Sequence, residues 1–405
     1  MTDDRDSGTL AALRTFLDDV HLATPDGVAE AAHQAAAALG WSARLYVVDY
    51  EQRYLVPMPT SSLPDADAVP IEGTLAGRAF QHVEPVPASG HPGMLWVPLL
   101  DGVHRFGVVQ LTVPPDTDLD DPGTVDRYEL LCHLVGHMLA AKNPYGDALD
   151  MLARRRPRAV ATELLSDLLP PLTFGCEGLV VSGILEPCYD VAADAFDYGV
   201  VDSTAHLAVL DATGHDLSGT LVAAVAVAAC RNSRRERRTL YETASAVDDA
   251  LREQWRGTLF ASGVLAELDL DTGRLRYVNA GHPAPLLMRD GKVVKRLDGG
   301  RRIVLGLGDG QIDVAEEWLE RGDWVVFYTD GVTEARGADG AFYGVERLTD
   351  QLRRSAAAGY PVPETLRRVV HEVLDHQQGR LQDDATLLVA QWATRKEDAL
   401  RAAPS

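Results

Sequence analysis

The chain is short of several things, and each shortage argues against a class of protein. Its 405 residues include only four cysteines, Cys132, Cys176, Cys188 and Cys230. They are scattered and form no C-x-x-C pair, so neither a zinc knuckle nor a disulfide framework is indicated. No segment approaches the ~20 uninterrupted apolar residues of a membrane-spanning helix. The opening MTDDRDSGTLAAL is acidic, whereas a secretory leader begins basic and continues apolar; a cytoplasmic protein is expected. Positive charge is scarce, with 38 Lys and Arg against 60 Asp and Glu and a net charge of −22 at pH 7. Such a chain repels phosphate backbones and anionic lipid, so neither nucleic acid nor a membrane is expected as a main partner. There is no G-x-G-x-x-G after a strand and no G-x-x-x-x-G-K-S/T, the loops that cradle nucleotides. G-x-S-x-G and H-E-x-x-H are also missing, which leaves no motif for a serine nucleophile or a histidine-bound zinc.

What is present suffices for two or three domains. The hydrophobic fraction is 46%, ample for real cores. In the first half, TLAALRTFLDDV and GVAEAAHQAAAALG have helical periodicity, the second ending at Gly40, a C-cap residue. SARLYVVDY follows as a strand. MLWVPLL and RFGVVQLTV flank DGVH, a hairpin signal, and VDRYELLCHLVGHMLAAK closes the segment as a helix. Helices, a central antiparallel sheet and a closing helix make an α+β module. The order, with IEGTLAGRAF (71–80) and the hairpin LWVPLLDGVHRFGVVQLTV (95–113), resembles a GAF domain over residues 8–142. That family senses small ligands; the resemblance leaves the ligand unknown. The absence of cysteine before Cys132 weighs against a covalently held chromophore. His82, His91, His104, His133 and His137 could each be proposed as a haem ligand, but satisfied core or surface histidines are the commoner case.

Residues 143–171 read as a helical linker, with apolar residues such as Leu149, Leu152, Leu164, Leu165 and Leu168 at spacings of roughly three and four. Arg154–Arg156 interrupts them and Pro157 breaks or restarts the helix, so two short helical pieces are expected. An amphipathic linker can pack on its own domain or on a second copy, which makes a homodimer through the GAF-like domain and linker a candidate assembly.

Residues 172–394 are richer in strands. GLVVSGILEP, AHLAVLDAT, WVVFYTD and ATLLVAQWA read as buried strands, and FASGVLAELDLDTGRLRYVNAGH as a hairpin. Four helical stretches are interposed: 218–237, 239–257, 345–359 and 362–377. Strands with interposed helix pairs imply an α/β sandwich rather than a doubly wound chain. The chemistry-bearing pattern is where the aspartates fall. Asp194 and Asp197 lie in AADAFDY, Asp211 ends LAVLD, Asp330 ends VVFYTD, and Asp383-Asp384 precedes ATLLV. Each Asp-Gly or Asp-Asp alone is ordinary turn chemistry. Together they are carboxylates at strand ends, whose common burial is unfavourable unless a positive group neutralises them. A hard divalent cation does so, and an all-oxygen donor set suits Mg²⁺ or Mn²⁺. Two such ions about 3.5–4 Å apart can activate a shared water against a phosphate.

The segments AADAFDYGVVDSTAHLAVLDATGHDLSGTLVAA, VNAGHPAPLLM, VLGLGDG, WVVFYTDGVTEAR and QDDATLLV, in this order, resemble the PPM (PP2C-type) metal-dependent serine/threonine phosphatases of the bacterial SpoIIE/RsbU branch. The resemblance implies a multi-domain α+β protein whose second half is an α-β-β-α sandwich of two antiparallel sheets flanked by helices. It implies two Mn²⁺ or Mg²⁺ ions, with Asp211 bridging both, Asp330 and Asp383 holding one, and Asp194 and the Ala212 carbonyl serving the other. Asp211, Asp330 and Asp383 are the catalytic candidates. Asp197 and Asp384 are implied to orient ligands or water, and Asn279 and His282 of the NAGH stretch to brace the site. The implied substrate is a phosphoserine or phosphothreonine protein, such as an anti-anti-sigma STAS protein, with the GAF-like domain in control. Two departures stand out. Ala192-Ala193 replace Gly-Gly before the first aspartate, which would strain any positive φ there. Gly214-His215-Asp216 replaces Gly-His-Gly, adding a carboxylate. The rival expectations are a phosphatase-like scaffold that binds partners without turnover, and an anti-sigma kinase, for which no ATP-binding motif set is found.

Overall fold

The computed structural model describes residues 2–186, 193–214, 216–308, 312–379 and 381–393. Contacts divide it into one unit ending at Arg156 and a second beginning at Pro157. No helix among the described residues is long and apolar enough to cross a membrane.

The first unit contains α1 (Thr2–His21), α2 (Gly27–Ala38), β1 (Ser42–Val48), β2 (Tyr54–Pro57), β3 (Val69–Pro70), α3 (Leu75–His82), β4 (Val86–Pro87), β5 (Met94–Asp101), β6 (His104–Thr112), α4 (Pro122–Lys142) and the short α5 (Ala148–Ala153). The strands form one antiparallel sheet in the order β3-β2-β1-β6-β5-β4. Alternation along β1 divides its side chains between two cores. Leu45 and Val47 pack with Phe16, Ala32, Leu131 and Val135 from α1, α2 and α4. Tyr46 packs on the other face with Phe80, Trp96 and Val108. Thr74 caps α3 by accepting from Gly77 N at 3.0 Å, and Asp121 caps α4, with Pro122 at its first position.

The linker is not one element. Its first helix belongs to the first unit: Tyr50 OH donates to the Asp150 carboxylate, Tyr50 N donates to Ala153 O at 3.1 Å, and the Arg155 guanidinium lies 4.7 Å over the Tyr54 ring. Its second helix, α6 (Val160–Leu168), packs in the second unit, where Leu165 is buried among Val222, Ala226 and Leu210.

The second unit continues through β7 (Thr173–Cys176), β8 (Leu179–Glu186), β9 (Asp194–Val201), β10 (Thr204–Ala212), α7 (Asp216–Arg235), α8 (Leu240–Trp255), β11 (Ala261–Asp269), β12 (Arg274–Ala280), β13 (Leu286–Arg289), β14 (Lys292–Arg296), β15 (Arg301–Arg302), β16 (Ala315–Trp318), β17 (Trp324–Tyr328), the single turn α9 (Asp330–Thr333), α10 (Gly344–Ala357), α11 (Val362–His376) and β18 (Ala385–Trp392). One sheet runs β15-β12-β11-β10-β9, with β16 also on β12; the other runs β14-β13-β17-β18-β8-β7. Every pairing is antiparallel except the two-residue β12–β15 pair.

The period of two explains the layers. On β10, Leu207 and Val209 face inward between the sheets, while Ala208 and Leu210 face α7 and α8. On β17, Val325 and Phe327 point inward, while Val326 and Tyr328 meet α10 and α11; on β18, Leu388 and Ala390 point inward, and Leu387 and Val389 outward. The result is the α-β-β-α sandwich expected from the sequence. Among the described residues Cys132, Cys176 and Cys230 form no disulfide; Cys188 lies outside the described residues.

Leu388 is fully buried between the sheets. Leu388→Ala is expected to destabilise the second unit by about 2–5 kcal/mol, read as a lower urea midpoint. Leu10→Ala, at a side chain 70% exposed, should stay within about 0.5 kcal/mol. Equal midpoints for both variants would contradict the packing described.

Candidate active site

The acidic residues meet at one end of the sandwich because two antiparallel pairs end there. Asp211, near the end of β10, stands directly opposite Asp194, the first residue of β9. Opposed residues share a face, and alternation from Val209 and Phe196 makes it the face between the sheets. In the other sheet Tyr328 opposes Leu387, which brings Thr329-Asp330, after β17, beside Asp383-Asp384, before β18.

Hydrogen bonds then tie the two sheets together. The Asp384 carboxylate accepts from Ala193 N and, at 3.4 Å, from Asp194 N. Thr329 Oγ1 donates to Asp194 Oδ2 at 2.7 Å and accepts from Thr386 N at 3.0 Å. Gly331 has its own reason to be glycine. It does not adopt positive φ, and it is the second residue of the single helical turn α9 rather than part of the Asp-Gly turn that the sequence suggests. A Cβ there would stand 1.9 Å from the Asp384 carbonyl oxygen. The residue after the tip carboxylate is thus small because β18 begins against it.

These carboxylates act on one another. Burial raises Asp194 well above the ordinary carboxyl range, and the Asp211 and Asp384 charges raise it further. Burial pushes Asp211 up to about 7, helped by Asp330, Asp383 and Asp384. Asp384 is pushed up to about 7 by burial against the opposing effect of its two backbone donors. Asp330 is raised by burial, then by Asp383 and Glu334. Among the described residues no three His, Cys, Asp or Glu side chains already close around one point. The carboxylates converge from four chain segments without being drawn together. The donor set is nevertheless entirely oxygen and strongly anionic, the chemistry that hard divalent cations take.

The other expected residues fall as follows. Asp383 is exposed at this end and accepts from Asp384 N at 2.9 Å. Ala212 is buried, its N donating to Ala193 O at 3.2 Å. Asp384, expected only to orient other groups, is the carboxylate that joins the sheets. Asp197 is a correction. Three positions beyond Asp194 on a strand, it faces the opposite way, and it accepts from Arg231 Nε and Arg234 Nη1 of α7, each at 2.8 Å. It anchors a helix and does not reach the carboxylate cluster. Asn279 folds its own turn, accepting from His282 N at 2.8 Å. Ala193 keeps negative φ, so it carries no backbone strain of the kind expected. Ala192 and His215 lie outside the described residues, and Asp216 opens α7.

Two residues escaped the sequence reading. Thr329 stands beside Asp330 in FYTD, where a strand-end threonine gives no signal of its own. Ser262 is the cross-strand partner of Asp211 on β11, a relation that only the register reveals.

Residues 202–393 match the family model for stage II sporulation protein E, SpoIIE. Most of the second unit is therefore a segment that matches the SpoIIE family. Asp211, Asp330, Asp383 and Asp384 lie inside the matched SpoIIE segment; Asp194 lies just before it and is joined to it by the β9–β10 register. Among curated proteins, the chain is 27% identical over 131 residues to protein IcfG of Synechocystis sp., covering 32% of this chain and 20% of that protein. It is 22% identical over 217 residues to phosphoserine phosphatase RsbU of Bacillus subtilis, covering 53% of this chain and 63% of RsbU. Its matches therefore span less than two thirds of either relative. Similar solved structures include the RsbU and RsbW domains of a Mycobacterium tuberculosis protein, at 25% identity and TM-score 0.47, covering 53% of this chain and 61% of that one. The SiaA PP2C domain of Pseudomonas aeruginosa is similar at 24% identity and TM-score 0.49, covering 62% of this chain and 98% of that one.

The cluster makes stability depend on pH with a definite sign. An unfolded Asp titrates near 3.9, and folded Asp211 titrates at about 7. The folded state therefore holds the extra proton, and its contribution is present below pH ~4 and is lost as pH rises to about 7. In the presence of a chelator, the melting temperature should fall between pH 5 and pH 8. The fall should be smaller in Asp211→Asn, and Mg²⁺ or Mn²⁺ added at pH 8 should restore the wild type. Parallel curves for the two proteins would place the pH dependence elsewhere.

Proposed function

We propose that the second unit is a metal-dependent protein phosphatase that removes phosphate from phosphoserine or phosphothreonine. The observation that carries this reading is the convergence of Asp194, Asp211, Asp330 and Asp383 from both sheets, with one another as their main electrostatic neighbours. Asp194, Asp211, the Ala212 carbonyl, Asp330 and Asp383 would hold two Mg²⁺ or Mn²⁺ ions. Such ions supply charge neutralisation for a phosphoryl group and make water acidic enough to attack it near neutral pH. The chain's own part is to keep oxygen donors rigid on strand ends. Thr329 fixes the rotamer of Asp194, Asp384 clamps the Ala193-Asp194 backbone, and the Gly331 contact sets the position of Asp330. Exposed Asp383 and half-buried Asp330 stand where a phosphorylated side chain can enter.

A phosphoserine protein is the favoured substrate class, in keeping with the name of the RsbU relative, and a STAS-type anti-anti-sigma protein fits that class. Residues 8–142 are read as a GAF-like sensor, 143–171 as the linker and 172–394 as the phosphatase domain. The sensor would act through the linker, whose two helices are fastened to different units: α5 through Tyr50, and α6 through Leu165 and through Leu168 O, which accepts from Arg231 Nη2 at 2.7 Å.

The direct test is Mn²⁺- or Mg²⁺-dependent phosphate release from a phosphoserine peptide or protein. Wild type should turn over, and Asp211→Asn and Asp330→Asn should each lose at least about 100-fold, in line with losing charge stabilisation at the reacting group. Equal activity in all three would remove Asp211 and Asp330 from the reaction, and no activity in wild type with metal supplied would leave the scaffold reading in place. Control by the sensor predicts that a protein starting at Pro157 turns over at a rate different from the full chain under the same metal. Identical rates, with and without candidate small ligands, would remove the sensor from the scheme.

A further inference from the structure

The row of opposed residues that contains Asp194 and Asp211 does not stop at Asp211. Ser262 is the next member, directly opposite Asp211 on β11 and on the same face of the sheet, so its hydroxyl stands beside the Asp211 carboxyl. Ser262 Oγ lies 2.7 Å from His282 Nδ1. His282 is 2% exposed, and burial holds it down to about 4, so the ring is neutral at pH 7. Its backbone is held on both sides: its N–H donates to Asn279 Oδ1 at 2.8 Å, and its carbonyl accepts from Arg301 Nη1 at 3.0 Å. Gly281, at φ +68, makes the tight turn that brings the ring back to β11. The NAGH stretch is therefore a scaffold for one imidazole behind one serine.

The direction of the hydrogen bonds follows from proton counting. A neutral imidazole has one N–H and one bare nitrogen. With the proton on Nδ1, the ring donates to Ser262 Oγ and leaves the serine proton for Asp211. With the proton on Nε2, the serine must donate to Nδ1, and an ionised Asp211 then faces only hydroxyl lone pairs. With Asp211 read as a carboxylate that holds a cation, the Nδ1–H form is the one that leaves it a donor. Nε2 is buried without a hydrogen-bond partner.

We propose that Ser262 and His282 are a positioning pair, donating in sequence from His282 to Ser262 to Asp211, and that they fix which Asp211 oxygens face the bound cations. The proposal rests on the reading of Asp211 as a metal ligand. A carboxylate among other carboxylates turns away from them unless something holds it, and one aimed donor supplies that hold. Neither residue touches the phosphoryl group, so their loss should weaken metal binding first. Groups that orient a metal ligand typically change metal affinity by about 10–100-fold.

The test measures Mn²⁺ binding to the full chain by calorimetry, with phosphate release alongside it. Ser262→Ala and His282→Leu should raise the Mn²⁺ dissociation constant by about tenfold or more. They should raise the metal concentration needed for half-maximal turnover in step, and leave KM for the phosphosubstrate unchanged. His282→Asn, whose amide can donate from the Nδ1 position, should recover most of the affinity. Histidine ¹⁵N spectra should show the ring proton on Nδ1. Wild-type affinity in Ser262→Ala and His282→Leu, with Asp211→Asn defective, overturns the pair and leaves the phosphatase reading intact. A wild type that neither binds Mn²⁺ nor releases phosphate overturns both. If His282→Leu does not fold, Ser262→Ala decides, since it deletes one oxygen. Binding as weak in His282→Asn as in His282→Leu overturns the donor direction.

Discussion

The second unit is organised around repulsion between carboxylates that the fold forces together. Asp194 and Asp211 are placed side by side by backbone register, which no side-chain rearrangement can undo. Asp330 and Asp384 arrive at the same end because β17 and β18 pair through Tyr328 and Leu387. The protein resists this repulsion with neutral donors: Thr329 on Asp194, and the amides of Ala193 and Asp194 on Asp384. These contacts orient the oxygens without cancelling their charge, and burial keeps that charge unfavourable. The contrast with Asp197 is instructive. It is equally buried on the same strand, but two arginines neutralise it. Charge pairing was therefore available to this fold and is used one face away, where stability is the only demand.

That arrangement depends on the sandwich. Inward side chains such as Val209, Phe327 and Leu388 hold the two sheets at a fixed separation. The strand ends consequently present their oxygens from rigid supports rather than from loops. Close approach at Gly331 sets the last coordinate, because the backbone of α9 can meet the start of β18 only without a Cβ. The SpoIIE-family segment includes both α9 and β18, yet the row of opposed residues starts before it, at Asp194.

The strand ends were legible in sequence because an apolar strand with alternating burial stops where its carboxylate begins. VVFYTD and LAVLD each show this, as do the amphipathic helices that cover the outer faces. Asp197 was misread by proximity. Residues three apart on a strand face opposite ways, so period two, applied to DAFDY, would already have separated it from Asp194. Gly331 was assigned a turn because Asp-Gly often makes one; the close contact that requires it lies 53 residues away in the chain and has no local signature. Ser262 was invisible for the same reason. Its importance comes from standing opposite Asp211 across two strands separated by both α7 and α8.

The linker shows how a short sequence feature sets mechanical limits. Helical periodicity on both sides of Arg154–Pro157 could have meant one bent helix. The backbone from Arg154 to Ala159 is not helical, and proline at 157 removes the amide that a continuous helix would need. On one side Asp49, Tyr50 and Tyr54 grip α5 and the arginines after it. On the other, Arg231 bridges the Leu168 carbonyl and Asp197, so α6, β9 and α7 share one guanidinium. Arg231 thus links the end of α6 to the buried Asp197. That residue is on β9, three positions from Asp194, so the arginine pair and the carboxylate cluster occupy opposite faces of the same strand.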